Sequence, residues 1–92
     1  MMGKEVIINK IKTVAVNIRK IREFRNYTQE YLAVKLDISQ NAYSKIELGY
    51  TKITLERLYQ IAQILDVDLI ELVKADSTNV EKFLNMPSAV SA

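Results

Sequence analysis

Two short amphipathic stretches, residues 28–36 and 40–48, are separated by only three residues, Asp37-Ile38-Ser39, and this spacing constrains the fold more than any other feature. Thr28 is a suitable N-cap, because its hydroxyl can accept from a free amide of the first turn. Glu30 lies in that turn, where the helix dipole favours an anion. Leu32, Ala33 and Leu36 form the buried face of the first stretch. Asp37 can adopt the left-handed conformation that closes a helix, which most residues resist. Ser39 is the next N-cap, with Ile38 placed as a hydrophobic staple. The second stretch buries Tyr43 and Ile46, and Gly49 stops it. So short a connection forces the two helices into direct contact, and Ala33 is small where they must approach.

The rest of the chain is written in the same manner. Gly and Pro are nearly absent, with two and one respectively, so helices joined by tight turns are expected. Ile7, Ile11, Val14, Ile18 and Ile21 form an amphipathic stripe. That first helix starts near Glu5 or only near Thr13, and ends around Asn26. Thr54 caps a fourth helix with Leu55, Leu58, Ile61, Ala62 and Leu65 facing inward. The stop and start then recur as Leu65-Asp66-Val67-Asp68, and a short fifth helix covers about 69–74. The expected division is an N-terminal extension, 1–13, a helical domain, 14–74, and a partly disordered tail, 75–92. In the tail, Val80, Phe83 and Leu84 can supply one more turn or a docking segment.

Composition removes several classes of function. The 92 residues include no Cys and no His, which argues against disulfides, zinc and thiol catalysis, and leaves no imidazole base. Asp and Glu fall at caps and helix surfaces, so no catalytic carboxylate pair, metal site or cofactor site is expected, and the chain does not read as an enzyme. No apolar run reaches the ~18–20 residues that span a bilayer, and the charged N-terminus does not read as a secretory signal. A cytoplasmic protein is the expectation. Net charge is only +2, but it is unevenly spread. Residues 1–26 hold seven Lys/Arg against two acids, and residues 66–92 hold two against five. A basic front and an acidic rear would orient the chain on a polyanion.

The pair of helices is a helix-turn-helix, whose second member can enter a major groove about 12 Å wide. Its outward face carries Gln40, Asn41, Ser44 and Lys45, all polar and none acidic. Gln and Asn can pair with adenine edges, and Lys can donate to guanine. For Gln40, Asn41 and Lys45 taken alone a solvated face is the favoured reading, and inside a matched helix-turn-helix a base-reading role outweighs it; for Ser44 the two are balanced. Gln29 is placed against phosphate, and Tyr50, Thr51 and Lys52 against the next stretch of backbone. Thr28 and Ser39 are caps first, with a phosphate contact as an addition. Tyr43 belongs to the core, and Tyr27, Tyr31 and Tyr59 are expected to pack half-buried. Lys10, Lys12, Arg19, Lys20 and Arg25 form a largely solvated face, from which one or two could reach phosphate.

Taken together, Ile18-Arg19-Lys20-Ile21-Arg22, Thr28-Gln29-Glu30-Tyr31-Leu32-Ala33, Ile38 through Glu47 and Ile61-Ala62-Gln63-Ile64-Leu65-Asp66-Val67 resemble the Cro and phage-repressor (Xre-type) family of bacteria and phages. The resemblance covers about residues 14–73. It implies an all-α, five-helix, lambda-repressor-like domain that binds double-stranded DNA at palindromic operators as a homodimer and regulates transcription. It also implies that Arg22 pairs with Glu47, and that the dimer surface lies around the fifth helix, here Val67, Leu69, Ile70 and Val73. The stripe Ile7, Ile11, Val14 can equally cover the domain's own core or meet a second copy. Asp37 and Asp66 stand where the family often has Gly, and Leu48 replaces a polar or basic residue. The alternative is an antitoxin-type or other protein-interaction module of the same fold, holding a partner protein through its tail.

Overall fold

The computed structural model describes residues 3–74, and these form five helices joined by short turns. They are α1 (Lys4–Phe24), α2 (Gln29–Leu36), α3 (Gln40–Glu47), α4 (Leu55–Leu65) and α5 (Leu69–Lys74). The tail, with Val80, Phe83 and Leu84, lies outside the described residues. Among the described residues there is no strand, and no helix is long and apolar enough to cross a membrane.

The first helix takes the longer of its two expected forms. It starts at Lys4 and runs 21 residues, but ends at Phe24, two residues before the expected stop. The reason lies in Asn26, which adopts φ 61°. Tyr27 then donates its amide to the Arg22 carbonyl, the long bond that seals a helix end. Three other helices close in the same way. Ile38 donates to Ala33 after Asp37 at φ 57°, Val67 donates to Ala62 after Asp66 at φ 58°, and Tyr50 donates to Lys45 after Gly49 at φ 76°. Asn and Asp tolerate this left-handed region better than other residues with a Cβ. Asp37 and Asp66 therefore make the same turn that glycine would.

The starts are equally determined. Thr28, Ser39 and Thr54 each accept a hydrogen bond from the amide three residues on, at 3.0–3.1 Å. Two arginines add to the ends. Arg57 of α4 donates to the Leu36 carbonyl at 3.1 Å, and Arg25, directly after α1, donates to the Leu65 and Asp66 carbonyls. Arg25 was expected on a solvated face; its guanidinium instead satisfies the carbonyls left over at the end of α4.

Ile18, Ile21, Leu32, Leu36, Tyr43, Ile46, Ile61, Leu65, Val67 and Leu72 meet in one core, drawn from all five helices and the turn before α5. Leu55, expected to face inward, and Tyr59, expected half-buried, are both exposed, because the apolar stripe of α4 follows 58, 61, 62 and 65. Tyr31 is also mainly exposed, with its ring tilted against Tyr27 at a centroid distance of 4.6 Å. Asn17 is fully buried, and its amide donates to the Leu72 carbonyl at 3.0 Å, pinning α5 to α1.

Candidate nucleic-acid interface

The angle of α3 is set from both sides. Leu32, Ala33 and Leu36 of α2 are buried in one cluster with Tyr43 and Ile46 of α3, and Ala33 brings only a methyl group to it. The far end of α3 is tied down by charge. Arg22 reaches Glu47 through two nitrogens, at 2.6 and 3.0 Å, in a nearly buried fork. Its third nitrogen position is used by the Tyr27 carbonyl at 2.9 Å. Glu47 also accepts from the Tyr43 hydroxyl at 2.5 Å and from Gln29 Nε2 at 3.1 Å. One carboxylate thus joins α1, α2 and α3, and a buried charge with four donors is far cheaper than a bare one.

This network perturbs two of its members. The hydrogen bonds that Arg22 donates to Glu47 hold its guanidinium above its already high ordinary pKa, against the opposing effect of desolvation. Burial, followed by the bond to Glu47, pushes the Tyr43 phenol well above the usual tyrosine range. A raised folded-state pKa means that the stability is complete below the unfolded value, about 10, and is lost as pH climbs beyond it. Tyr43→Phe is therefore expected to unfold more easily at pH 8 by about 1–3 kcal/mol, having lost a buried partner. The gap to wild type should narrow above pH 10, at up to ~1.4 kcal/mol per pH unit. Denaturant titrations of both proteins from pH 8 to 11 check this; parallel pH profiles would contradict it.

With its inner face committed, α3 turns Gln40, Asn41 and Lys45 to solvent, while Ser44 is half-buried. Asn41 and Lys45, one turn apart, line a concave surface together with Ser39, Thr51 and Lys52. Residues assigned to bases and residues assigned to phosphates thus share one face of the molecule. Gln40 and Ser44 form the adjacent ridge of the same helix. Tyr50 is strongly exposed in the loop after α3, as is Leu48 just before it. Gln29 is placed differently from the expectation: its side chain turns inward to Glu47, so only its backbone amide, in the first turn of α2, remains suited to an anion. Arg57 also borders the concavity, a position that sequence spacing did not single out because it lies on a different helix.

The dimer candidates of the fifth-helix region separate. Val67 is buried in the core and Leu69 packs partly against it, whereas Ile70 and Val73 are exposed. Val67 is therefore not available as a contact for a second copy. Among the described residues no group of three or more His, Cys, Asp or Glu is gathered as a metal site would require.

A short helix with a polar, non-acidic outer face, propped at a fixed angle by the helix before it, defines a helix-turn-helix domain. The chain belongs to the helix-turn-helix family of the Cro and phage-repressor (Xre) type; the family model described as Helix-turn-helix matches residues 18–72. Among its relatives is the uncharacterised HTH-type transcriptional regulator YqaE of Bacillus subtilis, 35% identical over 82 residues, spanning 83% of this chain and 71% of the relative. Another is the uncharacterised HTH-type transcriptional regulator y4dJ of Sinorhizobium fredii, 36% identical over 62 residues, spanning 67% of this chain and 80% of the relative. No solved structure matches the chain. The family is one of DNA-binding transcription regulators.

Proposed function

We propose that the protein is a repressor that binds a palindromic operator as a homodimer, with α3 of each copy in the major groove. The observation that supports this most is the union of Asn41 and Lys45 with Thr51 and Lys52 on one concave face. In this reading Gln40, Asn41 and Lys45 read base edges, with Ser44 beside them. Thr28, Ser39, the Gln29 amide, Tyr50, Thr51 and Lys52 hold the sugar-phosphate backbone. Thr28 and Ser39 spend their acceptor capacity on caps, yet each hydroxyl keeps a proton to donate to phosphate. Phosphate contacts set affinity and register, base contacts set sequence, and the two-fold axis sets a half-site spacing of about 34 Å. Occupying the operator would exclude polymerase, and no bond chemistry is involved.

The two kinds of contact separate experimentally. Gln40→Ala is expected to lose about 1–3 kcal/mol of discrimination at one base pair of the half-site, leaving non-specific affinity nearly unchanged. Lys52→Ala should weaken all DNA sequences similarly and lower the slope of log affinity against log salt by about one per copy. Binding titrations over a set of single-base operator variants at several salt concentrations distinguish them. The opposite pattern, with Lys52→Ala changing base preference and Gln40→Ala changing only the salt slope, would overturn the assignment.

A further inference from the structure

The loop that follows α3 separates two concave surfaces. Thr51, Lys52 and Ile53 line the face that holds Asn41 and Lys45, and they also line a groove on the other side, against α1. That groove has a volume of about 500 Å³, the size of a ligand cleft rather than of a packing gap. Its apolar lining is drawn from four parts of the chain: Ile8, Ile11 and Val14 of α1, Ile53 of the loop, Leu58 of α4 and Val73 of α5. The core does not fill it. Ile18 and Ile21 of the α1 stripe are fully buried and Val14 packs against them, but Ile11 and Ile7 are 43% and 51% exposed, and Val73 is exposed as well. The charged residues in the lining are Lys12 and Lys52, so its rim is basic.

We propose that this groove is covered by the chain's own residues 76–84, which lie outside the described ones, with Val80, Phe83 and Leu84 on the apolar lining and Asp76 and Glu81 toward Lys12 and Lys52. Connectivity favours this occupant. Val73 lines the groove one residue before α5 ends at Lys74, so the segment sets out from the groove's edge. The stretch from Lys74 to Val80 can span up to about 20 Å when extended. Composition agrees with both parts of the site. Val80, Phe83 and Leu84 recur at the three- and four-residue spacing that puts side chains on one face of a helical turn. Residues 75–92 hold Asp76 and Glu81 against Lys82 alone, a net acidic segment for a basic rim. The first turns of α1 from a second copy, with Lys4 and Lys10, would meet like charge there. Attachment adds the rest: a short linker holds its segment at an effective concentration in the millimolar range, so contacts too weak to retain a separate partner suffice. Because Lys52 serves both surfaces, the segment and a DNA phosphate compete for it. That consequence rests on the DNA reading given above, whereas the docking itself does not.

Paramagnetic broadening of amide signals in the full chain tests the docking, with a nitroxide on Ser88→Cys in a chain that has no other thiol. In one sample, isotope-labelled chains carry the nitroxide and are diluted into an excess of unlabelled wild type. In a second, isotope-labelled wild type is mixed with unlabelled nitroxide chains. The amides of Ile11, Ile53 and Val73 are expected to broaden in the first sample only, and far more than that of Val34 on α2, which does not line the groove. Phe83→Ser/Leu84→Ser should abolish this selectivity and leave the rest of the spectrum unchanged. Groove broadening in the second sample alone would give the groove to another copy's segment, and no selective broadening in either would mean that this segment does not cover it; both results overturn the proposal. For the competition, Phe83→Ser/Leu84→Ser is expected to bind random-sequence DNA about three- to tenfold more tightly at low salt, since Lys52 is released to phosphate. Groove broadening in the wild type without that gain would overturn the competition. A wild type that binds no DNA would overturn the operator reading and leave the docking to stand or fall on the broadening.

Discussion

Glu47→Ala is expected to destabilise the domain by about 3–5 kcal/mol, because it strands a buried guanidinium. Glu47 is nearly buried and accepts from Arg22, Tyr43 and Gln29 together, so its loss leaves four donors without the acceptor they share. For a domain of this size the melting temperature should fall by roughly 12 °C or more. Glu56→Ala, at an exposed position in the first turn of α4, serves as the control and should stay within about 0.5 kcal/mol of wild type. Arg22→Met/Glu47→Leu should recover part of the loss, since an apolar pair leaves no buried charge uncompensated. Denaturant unfolding of the four proteins decides the matter. A Glu47→Ala protein within about 1 kcal/mol of wild type would mean that water reaches the pair far more than its burial indicates.

Leu32→Ala should cost about 2–5 kcal/mol, while Val34→Ala, two residues away on the same helix, should cost less than about 0.5 kcal/mol. Leu32 is 0% exposed and Val34 71% exposed, so the first leaves a cavity and the second leaves none. The cavity would open where α2 braces α3, and so it is expected to affect function beyond stability. At a temperature where Leu32→Ala is still folded, discrimination between operator and random DNA should fall more than non-specific affinity does. Comparable unfolding midpoints for the two variants would show that α2 does not hold α3 through this contact.

Much of this architecture is legible in the sequence because local chemistry and packing agree. Thr28, Ser39 and Thr54 signal helix starts through a hydroxyl that accepts from a free amide of the first turn, and Asp37, Asp66 and Gly49 signal stops through a conformation few residues tolerate. Asn26 belongs to the same set, and the shift of the α1 end from Asn26 to Phe24 follows from it. The features that spacing did not reveal are long-range. Arg25 and Arg57 look like surface cations until the carbonyl ends of α4 and α2 come beside them. Asn17 sits on the stripe side of α1 as an apparent interruption, and only the approach of α5 supplies its partner. Gln29 looked free for phosphate because the chain order hides how near the start of α2 comes to the end of α3. For the interface itself, helical periodicity places Gln40, Asn41 and Lys45 on one face. The addition of Thr51, Lys52 and Arg57 to that surface depends on the course of a loop, which no periodicity encodes.

The claim on which the rest depends is that α3 carries sequence information on its solvent-facing side. Selection of bound DNA from a random pool, run in parallel for the wild type and Asn41→Ala, tests it most directly. The wild type is expected to return two inverted half-sites about one helical turn apart, and Asn41→Ala the same spacing with one base position of each half-site relaxed. A wild-type pool with no recurring sequence, or a preference that Asn41→Ala leaves intact at every position, would contradict it.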